Sequence, residues 1–496
     1  MKETQKKPGG RRVVAWTLAA AALMAAAQVR AQSAVLLEAG NERLREDLQW
    51  LAQHGVITLS TSAWPLPLAA VEAALAGRRP NITFSDREAL AAVELELARQ
   101  RKRLGLGVTV RGNTASLPTM GFDHPVRAKA DVAARVQASS GPWAGRLELH
   151  GLADPFTPRQ TNFNAEGSYL AGAWGGQVFY AGQIPHWWGP AQDGSLIWSN
   201  AALAIPGVGV RRATERPFET RWLSWLGPWS YEVFLGKMLH NRLVPGVRVV
   251  AMRLQAQPLP GLEVGLSRLT QWGGAISENG PRAHLRAVFS RPNEEGVKNN
   301  EIAGFDARYT WLPGGNPLSL YGQLIGEDES DLRPTNYIGI AGLQFKHSLA
   351  GARVQWHVET ADTMSRRLFG LRDGRPNTAY VHTEFLDGMY HEGLPIGHFL
   401  GGDGKAHSLG VRVVPGRNPY RLRYGLRFVR ADVNPSSQAV NLAFPSADTV
   451  KLVELNASWE WRVYQQPMKV EAGLGVLRSR DNGRDTGVRL GVEVPF

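Results

Sequence analysis

The sequence predicts an all-β transmembrane barrel, antiparallel and of about 18 strands, behind a small N-terminal α-helical domain. Three observations carry that expectation. From Gly487 to Phe496 the chain alternates strictly: Val488, Leu490, Val492, Val494 and Phe496 are apolar, with Arg489, Gly491, Glu493 and Pro495 between them. A period of two turns one face to an apolar phase, and a strand ending on an aromatic suits a barrel closing its last strand on its first. An edge strand of a soluble sheet has the same local pattern. Second, the one long apolar run lies at the N-terminus. Third, from Leu106 onward short alternating stretches are joined by tight turns and by long polar loops, as in outer-membrane barrels.

Residues 1–31 read as a secretory signal peptide. Lys2, Lys6, Lys7, Arg11 and Arg12 precede an apolar run from Val13 to Ala27, and Val29-Arg30-Ala31 offers small residues at a cleavage site. That run is too short for a membrane-spanning helix, which needs about 20 residues. The chain has no cysteine, so disulfides, thiolate chemistry and a lipid-anchored Cys are excluded. The formal charge of +12 includes six basic residues and one acid in the leader, and arginine dominates lysine. Arginine forks suit acidic sugars and lipopolysaccharide phosphates, and a GC-rich genome gives the same bias. No nucleic-acid motif is present, and export argues against such a partner.

Residues 32–104 are expected to form a periplasmic helical bundle or plug. Leu44, Leu48 and Leu51 follow helical spacing, Trp64-Pro65-Leu66-Pro67 makes a turn, and Leu68–Ala76 continues. Ser85-Asp86-Arg87-Glu88 fits a capping box, with Leu90, Val93, Leu97 and Leu104 on one face behind it. Residues 105–496 are assigned to the barrel. Alternating stretches run over Asp131–Ala138, Arg146–His150, Gln177–Gln183, Tyr231–Lys237, Val247–Gln257 and Leu262–Leu269. They continue over Glu301–Trp311, Leu318–Ile325, Tyr337–Lys346, Ala352–Thr360, Ala406–Val414, Tyr420–Arg430, Val450–Tyr464 and Met468–Arg478. No blade-length repeat supports a propeller.

Eight of the 16 tryptophans fall between Trp174 and Trp272. There stand Trp187-Trp188-Gly189-Pro190, Asp193-Gly194-Ser195-Leu196, and Trp222-Leu223-Ser224-Trp225-Leu226-Gly227-Pro228-Trp229. With Ser267–Gly274, Ile396–Gly404 and the leader around Leu44–Ile57, these segments resemble the Wzi family of capsule-assembly proteins. The resemblance covers essentially the whole mature chain. It implies an 18-stranded outer-membrane barrel over a helical bundle, with a lectin-like role in holding capsular or other extracellular polysaccharide at the cell surface. The polymer is expected to be acidic. Outer-membrane lipid and lipopolysaccharide are further partners, the protein is expected to be a monomer, and no cofactor is implied.

The candidate ligand-binding residues are Trp187, Trp188, Asp193, Arg211 and Arg212. Tryptophan faces stack on sugar rings, Asp193 accepts sugar hydroxyls, and the arginines pair with uronates. Against this, the tryptophans suit a membrane-interface girdle or a wedge holding a loop to the wall, and the arginines suit lumenal pairs with barrel acids. His391-Glu392 with His398 lacks the zinc-protease spacing, and Gly402-Asp403-Gly404-Lys405 lacks the first glycine of a phosphate loop. A Ser-His-acid set from His186, Asp193 and Ser195 is a matter of geometry. The protein is not expected to be an enzyme. The alternatives to polysaccharide binding are a porin-like channel for small polar solutes and an outer-membrane hydrolase.

Overall fold

The computed structural model describes residues 32–115, 121–123, 127–276, 280, 298–330, 333–366, 375–418, 420–437, 441–463, 466–481 and 483–495. Residues 1–31, where a signal peptide is expected, and Phe496 lie outside them. Eighteen strands close an antiparallel barrel. They are β1 (Leu104–Asn113), β2 (Ala128–Ser140), β3 (Trp143–Pro155), β4 (Tyr169–Trp174), β5 (Gln177–Gly182) and β6 (Gly207–Arg212). Next come β7 (Trp229–Lys237), β8 (Val247–Leu259), β9 (Leu262–Gly273), β10 (Asn299–Trp311), β11 (Leu318–Ser330) and β12 (Arg333–Leu349). The circuit ends with β13 (Ala352–Arg366), β14 (Gly404–Val414), β15 (Arg423–Val433), β16 (Asp448–Val463), β17 (Gln466–Ser479) and β18 (Gly483–Pro495).

The alternation that opened the sequence argument does close the barrel: β18 pairs with β1, Leu490 opposite Gly112 and Val494 opposite Val108. Val488, Leu490 and Val492 are exposed on the outer wall, where the apolar band meets lipid. Gly141-Pro142, Gly175-Gly176, Pro260-Gly261 and Ala350-Gly351 make tight turns at the end holding both barrel termini. At Gly261, φ is +79° and a Cβ would come within 2.4 Å of the Thr310 carbonyl oxygen, so this turn needs glycine. Long connections such as 183–206 and 367–403 leave the opposite end, which is the extracellular one.

Strands β1, β4 and β6 are not among the alternating stretches the sequence reveals. The latter two are only six residues long; β1 does alternate, with Leu104, Leu106, Val108 and Val110 facing out, but it follows directly on the helical leader, and two of the inward positions between them are glycines. They also make room: a Cβ on Gly107 would approach Arg135 Nη2 at 3.1 Å. Leu104, expected on a helix face, starts β1 and is 62% exposed on the wall.

Three helices, α1 (Glu42–Gln53), α2 (Leu68–Ala76) and α3 (Phe84–Gln100), precede the barrel. The α3 cap sits two residues before the expected one. Thr83 Oγ1 accepts from the Asp86 amide at 3.2 Å, and an Asp86 carboxylate oxygen accepts from the Thr83 amide at 2.9 Å. Ser85 instead reaches Ser348 on β12 at 2.8 Å, because the helix packs against the wall.

Helix α1 is buried on nearly every side, although seven of its 12 residues are polar. Leu44, Leu48 and Leu51 join the core. Its polar face meets charges on the inner wall: Asp47 pairs with Arg353 of β13 at 2.7 Å and with Arg423 of β15. Glu46 meets the same Arg423 at 2.6 Å and Arg412 at 3.2 Å. The helix therefore stands inside the barrel. A charged helix is soluble there because the lumen supplies opposite charges at bonding distance.

The segment after α1 is latched to the periplasmic end. Glu215, in the β6–β7 connection, accepts from the Ser60 amide at 2.9 Å, from Gln255 at 2.9 Å and from Gln257 at 3.2 Å. Burial pushes its pKa up to about 7; the Ser60 amide opposes this and the nearby Glu263 carboxylate adds to it. A carboxyl whose pKa is raised on folding contributes stability that is complete below the unfolded value and is lost as pH rises through the folded one. The latch is therefore expected to weaken between about pH 4.5 and 7, the ordinary and the raised values. Heat-modifiability midpoints across that range should fall less steeply for Glu215→Gln than for wild type. Parallel curves would contradict the assignment.

Candidate functional site

The Trp187–Asp193 segment lies in the β5–β6 connection, an extracellular loop that folds down into the lumen. Trp187 and Trp188 pair in a two-residue ladder with Trp64 and Ala63 of the helical leader. A loop from the outer end and a segment from the periplasmic end thus meet and hydrogen-bond at mid-barrel.

The ladder fixes where the two tryptophans lie. Both rings are 0% exposed, so neither offers a face to a sugar. Trp187 lies edge-on to Phe122, with centroids 5.4 Å apart, and Arg45 of α1 sits 5.2 Å from its ring. The Trp188 indole donates to Glu232 of β7 at 3.3 Å, and its ring lies 5.1 Å from Trp198. Both contacts fasten the loop against its surroundings, an arrangement compatible with the wedge that the sequence also offers. A wedge needs large flat side chains and close backbone: Gly189 has φ +155°, and a Cβ on Gly194 would overlap the His398 ring at 2.2 Å.

Asp193 is also buried, at 4% exposure, and is not presented to a ligand from outside. Its carboxylate sits 2.8 Å from His357 Nε2 of β13 and accepts from Ser408 of β14 at 2.5 Å and Arg427 of β15 at 3.1 Å. Burial alone would raise this carboxyl. The His357 ring, Arg427 and the Ser408 hydroxyl outweigh it and hold the group well below the usual carboxylate range. The surrounding backbone is fixed as well. Glu359 accepts from the Gln192 amide at 2.8 Å, Gln323 Oε1 accepts from the Leu196 amide at 2.7 Å, and Arg308 donates to the Pro190 carbonyl.

Arg211 and Arg212 lie apart from the outer surface. Arg211 is 1% exposed and faces Glu232 at 3.3 Å. The same Glu232 accepts from Tyr180 at 2.6 Å and lies 3.3 Å from His186 Nε2. The lumenal pairing that the sequence leaves open is thus the arrangement found for Arg211. Arg212 lies 4.2 Å over the Trp229 ring and donates to the Arg216 and Trp229 carbonyls at 2.8 Å each, at the periplasmic end. Trp222 and Trp225 stand exposed in that connection, at 88% and 64%.

His186, Asp193 and Ser195 do not meet as a triad. His186 faces Glu232 and Tyr180, Asp193 faces His357, and the Ser195 hydroxyl goes to the Trp188 carbonyl. Nor do His391, Glu392 and His398 form a metal centre. His391 is taken by the Leu203 carbonyl and Leu239 amide, and Glu392 lies 3.0 Å from His240. Among the described residues no group of three potential ligands gathers.

What remains open is the extracellular rim. Buried Asp387 accepts from the Leu243 and Val244 amides at 2.8 Å each and lies 3.4 Å from an Arg159 guanidinium nitrogen, uniting three loops. On the same rim His240, Arg242, Leu243 and Leu386 are exposed, as is Arg375, which bridges to Ser365 at the top of β13. Sequence reasoning misses both the rim residues and the inner-wall partners His357, Glu359, Ser408 and Arg427. The latter carry a usable signal: they are the inward positions of strands whose alternate residues, Val358, Leu409 and Phe428, are exposed outside.

The Asp193 geometry sets a test. Removing one partner from a buried charge network typically costs about 3–5 kcal/mol because the other charges stay buried. Asp193→Ala is expected to lower the heat-shift temperature of the folded barrel clearly, and Asp193→Asn to lower it less. An unchanged temperature for both would show that the clamp does not hold the loop.

Comparison with known proteins follows the same lines. The family model described as "Capsule assembly protein Wzi" matches residues 101–487. An uncharacterized 55.8 kDa protein in the cps region of Klebsiella pneumoniae is 31% identical over 481 residues, 96% of this chain and 92% of that protein. Among solved structures, Wzi of Escherichia coli, described as an outer membrane protein involved in group 1 capsule assembly and a carbohydrate binding β-barrel, is 32% identical. It covers 93% of this chain and 99% of its own, with a TM-score of 0.83.

Proposed function

We propose, because this chain belongs to the Wzi family of capsule-assembly proteins, that it is an outer-membrane barrel that binds capsular or related extracellular polysaccharide and keeps it at the cell surface. The observation that carries the reading is the filled lumen. The helical leader occupies it from below, the Trp187–Asp193 loop from above, and the two are hydrogen-bonded together. Among the described residues the space left in the lumen lies in cavities between these pieces and the wall, so the surface facing a secreted polymer is the extracellular rim. Binding rather than catalysis fits a site where His186, Asp193 and Ser195 each serve a separate packing contact.

On the rim, Arg242 and Arg375 are exposed cations and Leu243 and Leu386 exposed apolar groups. That mixture suits a polymer carrying carboxylates on otherwise apolar ring faces. Individual contacts are weak, and many protein copies along one chain multiply them through avidity. In this reading Trp187, Trp188 and Asp193 act from below, setting the loop that supports the rim, and residues 32–104 serve as the plug.

The test is binding of the host's purified polysaccharide to the detergent-solubilised protein. Arg242→Glu with Arg375→Glu is expected to weaken it at least roughly tenfold, about the loss of one charge-assisted contact, with the heat shift of the barrel intact. Undiminished binding would move the site away from these residues. In planar bilayers, deleting residues 32–100 is expected to raise conductance above that of the intact protein. Equal, porin-sized conductance for both would sink the plug.

A further inference from the structure

The outer surface of the wall carries a feature that polymer binding does not use. Outward positions on β14 to β18 place five basic residues side by side in one cross-strand row. His407 is paired with Arg430, Arg430 with Lys451, Lys451 with Arg478, and Arg478 with Arg484. Each is exposed. Neighbouring strands lie about 4.8 Å apart, so the row is about 19 Å long.

Its orientation follows from alternation. Ser408, Arg427 and Glu454 point into the lumen, at Asp193 and at each other. His407, Arg430 and Lys451 are an odd number of positions away and therefore face out. Two residues further down the same strands, Leu409, Phe428 and Val453 are exposed apolar groups, and Trp461 lies at the far end of β16. Ten residues separate Lys451 from Trp461, about 33 Å along a strand and about 25 Å in height at the usual tilt. That is the height of the apolar band of an outer-membrane barrel. Lys451, the middle member of the row, therefore sits at the upper edge of the band, at the headgroups of the outer leaflet, and the row crosses that level at the strand tilt.

Like charges directly opposite across a sheet repel, and here three such pairs adjoin, Arg430 with Lys451, Lys451 with Arg478 and Arg478 with Arg484. Among the described residues, the side chains of Arg430, Lys451, Arg478 and Arg484 have no hydrogen-bond or ion-pair partner, and His407 meets only the Thr360 hydroxyl at 3.0 Å. The acids one row higher are engaged: Asp362 by Arg366 and Lys405, and Asp432 by Thr449. Elsewhere on the outer wall an arginine has its acid, as Arg268 has Glu301 at 2.5 Å. A mutually repelling row at headgroup level calls for an external anion. We propose that His407, Arg430, Lys451, Arg478 and Arg484 form a lateral binding site for the phosphates of lipopolysaccharide in the outer leaflet. Acyl chains would lie below against Leu409, Phe428, Val453 and Leu474. The occupant is a lipid because the apolar rows run directly beneath the cations on the same strands.

The test titrates the full mature protein in nonionic detergent with bis-phosphorylated lipid A, monophosphorylated lipid A, phosphatidylethanolamine, inorganic phosphate and polygalacturonate. Binding is expected for lipid A, tighter with two phosphates than with one, and absent for phosphatidylethanolamine. With each surface cation near a charged headgroup contributing about one unit of fivefold affinity, R430Q/K451Q/R478Q should bind roughly a hundredfold more weakly with its heat shift unchanged. Should the triple variant misassemble, Arg478→Gln alone is expected to lose about fivefold. Undiminished lipid A affinity in a folded variant would overturn the proposal. So would inorganic phosphate binding as tightly as lipid A, or polygalacturonate occupying the row in its place.

Discussion

The structure depends on pairing charge inside a barrel. Strands that show lipid one face must turn the other inward, and here the inward face is rich in charged groups: Arg253, Arg308, Glu232, Arg353, Arg423 and Arg427 are buried or nearly so. In a water-filled pore such groups would be solvated. In a packed lumen they need counter-charges and hydrogen bonds. The chain supplies these from both ends. Asp47 arrives from below and binds Arg353 and Arg423, and Asp193 arrives from above and binds Arg427 beside His357. Where the two intrusions meet, Trp64, Trp187 and Phe122 pack edge to face. Charge complementarity brings the pieces into register, and aromatic packing excludes water between them.

That view explains why the Trp-rich motif combines two tryptophans, flexible glycines and one acid. The sequence points to the motif but not to its role. A tryptophan pair beside Asp and Gly looks the same whether it stacks on a sugar or wedges a loop, because local spacing does not report which way a loop folds. The deciding contacts are distant in sequence: Trp187 with Trp64, and Asp193 with His357, Ser408 and Arg427.

Barrel architecture is legible for the opposite reason. Period-two alternation is a local property forced on every strand by the lipid, and it survives in Val488–Val494 and in most of the wall. It is harder to see in β4 and β6, six residues each and largely alanine or glycine beside their few large side chains, and in β1, where Leu104 extends the spacing of the preceding helix although Leu104, Leu106, Val108 and Val110 alternate. Helix existence is legible in Leu44, Leu48 and Leu51. The α3 cap is displaced because Thr83 and Asp86 satisfy the free amides while Ser85 is drawn to the wall. The basic row on β14 to β18 is invisible in sequence altogether, since its members become neighbours only through strand register.

With helix α1 and the Trp187–Asp193 loop occupying the lumen, the protein has two other surfaces with which to act. The rim faces the medium, and the wall faces the leaflet. A protein that retains polymer must be anchored at the one and bind at the other, and polar contacts at the rim suit a ligand engaged by many copies at once. The direct measurement is the partition of polysaccharide between cells and medium in strains with and without this protein, total polymer being measured in both. Retention at the surface requires that loss of the protein move polymer into the medium while the total stays constant. A fall in total secreted polymer with the cell-attached fraction unchanged would mean that the barrel serves export, and would contradict the account.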